Sequence, residues 1–195
     1  MKIKFNYSIL LVILTLSICS LLFTLIRIGT FLPDIEVVYD TETEQNKAIE
    51  KLEKENVEII INDQKVFVGH DSLNLINWSY FNDPQYLYFY LSTNTCPPCI
   101  LSTINLLKNY YDDFENNGKV IIISPDYPMR LRGNCYGKKL LVLEGKLIGF
   151  TVEQYDASFF FTLNKDLTVR ALHVVNKMNF RRTENFIKQT LSEQN

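Results

Sequence analysis

Two cysteines separated by two prolines are the residues of this chain best suited to chemistry. They lie in the run Thr95-Cys96-Pro97-Pro98-Cys99-Ile100. On a helix, residues three apart are neighbours, so this spacing puts the two thiols one turn apart. A thiolate beside a second thiol can attack a disulfide and then release the partner by closing an internal disulfide. The pair therefore predicts dithiol–disulfide exchange.

The segments on either side predict where these thiols lie. Residues 86–91 are an aromatic and apolar run, which predicts a buried strand. After the second cysteine, apolar residues recur at helical spacing as far as Phe114, and Asn117-Gly118 provides a stop. Prolines are tolerated in a first helical turn because its amides have no intrahelical partner. Cys96 is therefore expected at a strand-to-helix turn, where free amides and the helix dipole favour a thiolate.

The N-terminus predicts a membrane anchor. Residues 9–26 carry no charge and are just long enough to span a bilayer, which needs about 20 apolar residues. Lys2 and Lys4 precede this run and favour an N-terminus in the cytoplasm. We expect a cytoplasmic start over residues 1–6, a single transmembrane anchor over 7–28, and the remaining chain outside the cytoplasm.

Three other interpretations of this segment compete with an uncleaved anchor. A cleaved signal peptide has the same charge pattern, but the first alanine is Ala48, so no Ala-x-Ala cleavage site precedes it. Leu16-Ser17-Ile18-Cys19 suggests a lipoprotein anchor at Cys19, although Ile18 stands where a small residue is expected. A buried core helix fits poorly with the basic start. The uncleaved anchor is the favoured interpretation.

Length and composition limit the possible classes of protein. Of the 195 residues, about 165 follow the anchor, the size of one compact domain with a sizeable core. A net charge of −2 gives no argument for binding nucleic acid. Four cysteines are too few for a scaffold held by disulfides. No nucleotide, haem or flavin motif occurs, so no cofactor is predicted.

The remaining sequence predicts a stalk followed by an α/β domain. Residues 29–56 are polar and acidic, which favours a solvated stalk, with a short helix possible over 43–55. The domain itself is predicted over 57–195. Its other predicted elements are an N-terminal β-hairpin of 57–61 with 65–69, a parallel strand over 119–123, a weaker strand over 140–143, a second hairpin of 158–163 with 169–175, and a closing helix over 183–192 capped by Thr183.

A CxxC turn on a βαβ unit, followed by a hairpin and a terminal helix, resembles the thioredoxin fold. More narrowly, it is similar to the membrane-tethered, extracytoplasmic thioredoxin-like proteins of bacteria, the TlpA type, which carry an added N-terminal hairpin. The resemblance covers residues 57–193. It implies a mixed sheet flanked by helices, with Cys96 as the nucleophile and Cys99 as the resolving thiol. It also implies protein disulfides or thiols as substrates, a separate thiol electron donor or acceptor, and a periplasmic or outer-face location.

The chain departs from this family at three positions around the predicted site. The family usually has tryptophan before the first cysteine and a buried acid six residues before it; these positions hold Thr95 and Tyr90. The family's cis-proline, which faces the disulfide, corresponds to Ser158. Without proline, a cis bond costs about 2.5–4 kcal/mol, so a trans Ala157–Ser158 bond is expected. These departures predict a different substrate clamp and a weaker catalyst. The predicted supporting residues are Thr95, Pro97, Pro98 and Ser158.

The sequence gives less support to other roles for the cysteines, the histidines and the basic residues. Zinc needs about four ligands, yet Cys135 is the only further cysteine after the anchor, and His70 and His173 lack ligand spacing, so no metal is predicted. We expect Cys135 to be a packed, unpaired thiol and His173 to satisfy a hydrogen bond in the core. Lys138, one of four basic residues near a proline-containing loop, is expected to be solvated.

Two alternative functions remain open. A peroxiredoxin motif places threonine three residues before its cysteine, which Thr93 satisfies, but Phe89 stands where a proline is required. The second alternative is a non-catalytic thioredoxin-like binding or assembly module at the membrane. A catalyst should lose activity when Cys96 is replaced, whereas a binding module should keep its partner.

Overall fold

The computed structural model divides the chain into two compact units, Met1–Ala48 and Ile49–Asn195. It describes residues 14–24, 43–68, 75–80, 82–92, 94–95, 97–125, 136–138, 140–143, 147–176 and 179–194. Residues 14–24 of the first unit are helical. Within the described part of the chain, no helix has the length and apolarity needed to cross a membrane. The anchor over 7–28 and the domain limits stay predictions, since half of the anchor lies outside the described residues.

The second unit contains a mixed sheet. Its described strands are β1 Lys65–Val68, β2 Ile76–Asn77, β3 Leu87–Tyr90, β4 Val120–Ser124, β5 Leu140–Val142, β6 Phe159–Leu163 and β7 Val169–Val174. Their order across the sheet is β2-β1-β5-β4-β3-β6-β7. The pairs β3/β4 and β4/β5 are parallel, whereas the other neighbours are antiparallel. Besides the helix of residues 14–24, the described α-helices are α1, which includes residues 43–55, α2 Pro97–Tyr110 and α3 Phe180–Glu193.

The predicted βαβ unit is confirmed as β3, α2 and β4. Leu87 pairs with Val120 and Tyr90 with Ile123 in the parallel ladder. Parallel neighbours need a crossover connection, and α2 provides it by burying its apolar side chains against the sheet. The predicted strand β5 and the hairpin of β6 with β7 are also confirmed. This arrangement, closed by α3, is a thioredoxin-like fold.

Aromatic pairs fix the register between β3 and β6. Three rings of each strand face their partners with centroid distances of 4.5–5.0 Å and nearly parallel planes. Such cross-strand aromatic pairs each contribute roughly 0.5–1.5 kcal/mol beyond their buried area. Because Tyr90 pairs with Phe159, the residues that follow β3 lie opposite those that precede β6. The three pairs are Tyr88 with Phe161, Phe89 with Phe160, and Tyr90 with Phe159.

The predicted N-terminal hairpin of 57–61 with 65–69 is wrong. β1 instead pairs with β2 and with β5. Glu58 adopts a left-handed backbone with φ 67°, which interrupts an extended strand. The amides of Glu58 and Ile61 donate to the carbonyls of Val169 and Leu167, at 2.8 and 3.1 Å. The segment 57–61 therefore runs irregularly beside the start of β7.

The predicted cap of the last helix is also wrong. α3 begins at Phe180, and the Asn179 side chain accepts a hydrogen bond from the Arg182 amide at 3.3 Å. An N-cap residue must stand just outside the helix so that its oxygen can turn towards the first free amides. Thr183 lies a turn inside α3 and is fully buried, with its hydroxyl 3.0 Å from His173 Nε2. The predicted core hydrogen bond of His173 is thereby confirmed.

Candidate functional site

Cys99 lies in the first turn of α2, as predicted, and its side chain is half-buried. It is disulfide-bonded. The hydroxyl of Thr103 donates to the Cys99 carbonyl at 3.0 Å, a backbone contact that anchors this turn. Cys96 and Cys135 lie outside the described residues, so Cys96 as the partner of Cys99 stays a prediction from spacing. Cys19, in the first unit, is free and exposed.

The two predicted prolines occupy the positions expected of them. Pro97 and Pro98 are the first two residues of α2, and both are exposed. Neither needs a donor there, because the first amides of a helix have no intrahelical acceptor. The hydroxyl of Ser102 donates to the Pro98 carbonyl at 3.0 Å. The two prolines therefore form the exposed surface at the N-terminal end of α2, next to Cys99.

A cleft of about 220 Å³ opens beside Cys99. Phe89 of β3 and three α2 residues, Cys99, Ile100 and Thr103, line it. The loop that precedes β6, residues 156–158, also lines it. Thr95 closes the cleft from the turn before α2. The cleft therefore brings Cys99 together with two predicted supporting residues, Thr95 and Ser158.

The side chains of Thr95 and Ser158 meet directly. Their hydroxyl oxygens are 2.6 Å apart, and the Ser92 amide donates to the Ser158 hydroxyl at 3.2 Å. Ser158 is buried, with 5% of its surface exposed. Among the described residues no peptide bond is cis, so the Ala157–Ser158 bond is trans, as expected. The hydroxyl pair links the turn before α2 to the loop before β6, at the two positions where the resemblance implies tryptophan and proline.

Tyr90, at the position where the resemblance implies a buried acid, cannot supply a base. Tyr90 is buried, and its desolvation together with the nearby Glu153 carboxylate raises its pKa far above the usual tyrosine range. The phenol therefore keeps its proton at neutral pH. The Glu153 carboxylate is buried as well, and it accepts hydrogen bonds from the amides of residues 148, 149 and 150 at 2.8–3.0 Å. Its role is to hold that turn.

Asp156 is the site residue that sequence reasoning missed. It lines the same cleft as Cys99 and is exposed. Its backbone is left-handed, with φ 52°, and its amide donates to the Glu153 carbonyl at 3.4 Å. Aspartate tolerates this conformation better than most residues do. Its sequence signal is its place two residues before Ser158, at the end of the short 3-10 turn Thr151–Tyr155.

The environment of Lys138 differs from the one that the sequence predicts. Lys138 is buried rather than solvated, with 5% of its surface exposed; its ammonium group donates to the Asn117 carbonyl and lies 4.9 Å from the Phe114 ring centre. Within the described ranges, no three His, Cys, Asp or Glu side chains are grouped so that they could hold a metal ion.

Neither a family model nor a curated protein matches this chain. The chain is similar to several solved structures. One is an uncharacterised thioredoxin-like protein from Porphyromonas gingivalis, 13% identical over 72% of this chain and 96% of that chain, with a TM-score of 0.46. Another is the C-terminal domain of a protein described as a thiol-disulfide oxidoreductase from Bacteroides thetaiotaomicron, 16% identical over 68% and 98%, with a TM-score of 0.38. The mitochondrial 2-Cys peroxiredoxin from Plasmodium falciparum is 13% identical over 70% and 93%, with a TM-score of 0.42.

These TM-scores all lie below 0.5, so the similarity carries no information about function. The sheet order and the position of Cys99 define the class, a thioredoxin-like domain with a disulfide at the start of α2.

Proposed function

We propose that this chain is a thiol-disulfide oxidoreductase that acts through Cys96 and Cys99. The observation that carries the proposal is the disulfide of Cys99, which lies at an open cleft in the first turn of α2. A substrate thiol can reach a disulfide at such a position, whereas a disulfide sealed in a core is protected from exchange. Both apolar side chains, such as Phe89 and Ile100, and polar side chains, such as Thr95 and Ser158, line the cleft, a mixture that suits a peptide segment of a substrate.

The proposed cycle begins with the reduced pair. The Cys96 thiolate attacks a substrate disulfide, forms a mixed disulfide and releases the first substrate thiolate, which takes up a proton. Cys99 then attacks the sulfur of Cys96 and releases the second substrate thiol. The substrate has gained two electrons and two protons, and the Cys96–Cys99 pair is oxidised. A separate thiol donor reduces the pair again.

We place this activity outside the cytoplasm, at the membrane. The uncharged run of residues 9–26 and the preceding lysines support an anchor with the domain on the periplasmic or outer face. A disulfide-bonded Cys99 is compatible with an oxidising compartment. This assignment makes the chain a tethered oxidoreductase of the TlpA type, acting on protein disulfides or thiols.

Trapping of covalent intermediates tests the proposed function. In the full chain, Cys99→Ser should accumulate mixed disulfides through Cys96 when a protein disulfide is supplied, because the resolving thiol is gone. Cys96→Ser should accumulate none, and Cys135→Ser should turn over as the unmodified chain does. Non-reducing electrophoresis and mass spectrometry of the adducts provide the measurement. Absence of adducts in both variants would overturn the proposal and favour the non-catalytic binding module.

A further inference from the structure

A series of hydrogen bonds connects α1 to the residues that line the cleft. The Glu53 side chain of α1 accepts a hydrogen bond from the amide of Val174, the last residue of β7, at 2.9 Å. The next amide, that of Val175, donates to the Ser158 carbonyl at 2.9 Å. Val175 and Ser158 both line the cleft beside Cys99, and we call these two residues the strand-end lining. The end of β7 therefore connects α1 with the cleft.

The Glu53 carboxylate is held by β7 and by α3. The oxygen that accepts from the Val174 amide also lies 3.0 Å from His173 Nδ1. The other oxygen lies 2.7 Å from the Arg182 guanidinium of α3. Only 12% of the Glu53 side chain is exposed, and hydrogen bonds to an ionised carboxylate are stronger than those between neutral groups. The carboxylate therefore fixes the end of β7 relative to α1 and α3.

The strand-end lining is also held from the turn before α2. The Ser158 hydroxyl accepts a hydrogen bond from the Ser92 amide at 3.2 Å and lies 2.6 Å from the Thr95 hydroxyl. Ser158 is thus fixed through its carbonyl by the end of β7 and through its hydroxyl by that turn. Because productive binding is sensitive to displacements of about 1 Å, a shift of the end of β7 would weaken substrate binding without changing the cysteines themselves.

We propose that Glu53 is a positioning residue, whose bond to the Val174 amide keeps the strand-end lining in the place where a substrate segment binds beside Cys99. The inference rests on the proposed function. Glu53 is not among the described residues that line the cleft, so it acts through β7 and not by touching the substrate. Docking of α1 through this carboxylate and binding of substrate are therefore coupled, and each favours the other.

α1 is also the helix through which the chain enters the domain. It includes residues 43–55, and the boundary between the two compact units follows Ala48 within it. A displacement of α1 would loosen the contact of Glu53 with the end of β7. The coupling therefore gives the segment before the domain a route by which it influences substrate binding.

Reduction of insulin disulfides by the full chain, with dithiothreitol as the thiol donor, tests the inference. Glu53→Gln offers one acceptor oxygen where three donor groups converge, so it cannot keep every contact. We expect its KM for insulin to rise by about 2- to 30-fold, the range that contact networks of this kind transmit, while kcat stays the same. Dithiodipyridine is a small disulfide that reaches a thiolate without a bound peptide segment, so its reaction with the reduced pair should keep its rate.

Two further variants control this measurement. Glu55→Gln is the matched control on the same helix, because the ion pair of Glu55 with Lys51 is exposed and 3.8 Å long, and its KM should equal that of the unmodified chain. Glu53→Asp keeps the charge but withdraws the carboxylate by about one bond length, 1.5 Å, so its KM should also rise. It provides a second variant if Glu53→Gln folds poorly, and circular dichroism checks the fold of each.

A double variant tests the route from Glu53 to the cleft. Ser158→Ala removes the hydroxyl that connects the strand-end lining to Thr95 and to the Ser92 amide. In this background, Glu53→Gln should raise the KM by a smaller factor than in the unmodified chain, because residues that act through one network have non-additive effects. Independent effects would contradict a route through Ser158.

An unchanged KM in a folded Glu53→Gln or Glu53→Asp chain would overturn the inference while leaving the proposed function intact. Equal losses of rate with insulin and with dithiodipyridine would also contradict it, since they would indicate a smaller amount of folded protein. The proposed function fails separately if the Cys99→Ser chain forms no mixed disulfide with insulin.

Discussion

The hydroxyl pair of Thr95 and Ser158 stands at the centre of the candidate site. The Ser158 hydroxyl accepts a hydrogen bond from the Ser92 amide and also shares one with the Thr95 hydroxyl. The contact therefore both satisfies a buried backbone donor and links two loops that line the cleft beside Cys99. Because a lost acceptor leaves a buried donor without its bond, Ser158 should matter more for stability than Thr95, whose side chain is half-buried.

We predict that Ser158→Ala lowers the free energy of unfolding by about 1–3 kcal/mol, the cost of an unsatisfied buried amide. Thr95→Val removes the bond between the hydroxyls but leaves Ser158 free to accept from Ser92, so its effect should be smaller. Denaturant unfolding of both single variants and the double variant measures their coupling. Strictly additive effects would contradict a direct contact between the two side chains.

At the scale of elements, one polar network connects α1, β7 and α3. The two Glu53 oxygens lie 3.0 Å from His173 Nδ1 and 2.7 Å from the Arg182 guanidinium. The other imidazole nitrogen contacts the Thr183 hydroxyl at 3.0 Å. This carboxylate, imidazole and hydroxyl have the order of a nucleophile triad, yet Thr183 is fully buried and does not line the cleft. The network therefore links secondary-structure elements.

We predict that Glu53→Gln destabilises the folded chain by about 1.5–3 kcal/mol at pH 7, because it removes charge-assisted hydrogen bonds to His173, Arg182 and the Val174 amide. Glu55→Gln is a control on the same helix, since its ion pair with Lys51 is exposed and 3.8 Å long. Thermal and denaturant unfolding measure both variants. A Glu53→Gln variant as stable as the control would contradict the network's role.

The stability difference between the unmodified chain and Glu53→Gln should depend on pH through the pKa of Glu53. Burial alone would raise that pKa, but the hydrogen bond and charge of His173, the Val174 amide and Arg182 together hold it below the usual glutamate value. A carboxyl whose pKa is lowered by folding stabilises the protein above its unfolded pKa and loses that contribution as pH falls through the folded pKa. The gap between the unmodified chain and Glu53→Gln should therefore close below about pH 4.

At the scale of the whole molecule, the periodicity of apolar residues predicted those elements that are determined by nearby residues. The apolar run of β3, the helical spacing of α2 and the hairpin of β6 with β7 each follow from patterns within a few residues. The segment 57–61 has an equally good strand pattern. Its irregular conformation is set by the left-handed Glu58 and by hydrogen bonds from its amides to residues more than 100 positions away. No local sequence pattern contains this information.

Local sequence patterns also fail to predict the long-range contacts of the candidate site. The cysteine spacing predicted the position of Cys99, and the resemblance pointed to Thr95 and Ser158. Their contact depends on the register of β3 against β6, which the stacked aromatic pairs set. Asp156 resembles any solvated loop carboxylate until the fold brings it to the cleft. Lys138 likewise has the sequence context of a surface charge, but it packs over the Phe114 ring.

The oxidised chain should unfold at a higher temperature than the reduced chain, because the disulfide of Cys99 restricts the unfolded ensemble. The size of the difference depends on the loop that the disulfide closes. Pairing with Cys96 closes four residues and stabilises by about 2 kcal/mol, whereas pairing with Cys135 closes 37 residues and would stabilise by about 4 kcal/mol. Unfolding in denaturant with and without reductant measures this difference.

The free energy of unfolding of Cys99→Ser should be the same with and without reductant. If Cys96 is the partner, Cys135→Ser should show the same difference between its oxidised and reduced forms as the unmodified chain. A Cys135→Ser chain that loses its response to reductant would contradict the proposed pair. A difference of about 2 kcal/mol that survives Cys135→Ser would show that the whole domain is stabilised by the bond that its proposed chemistry makes and breaks. Each turnover would then alternate between a more stable oxidised domain and a less stable reduced one. By linkage, that same free-energy gap makes the folded pair easier to oxidise than the same two thiols in the unfolded chain.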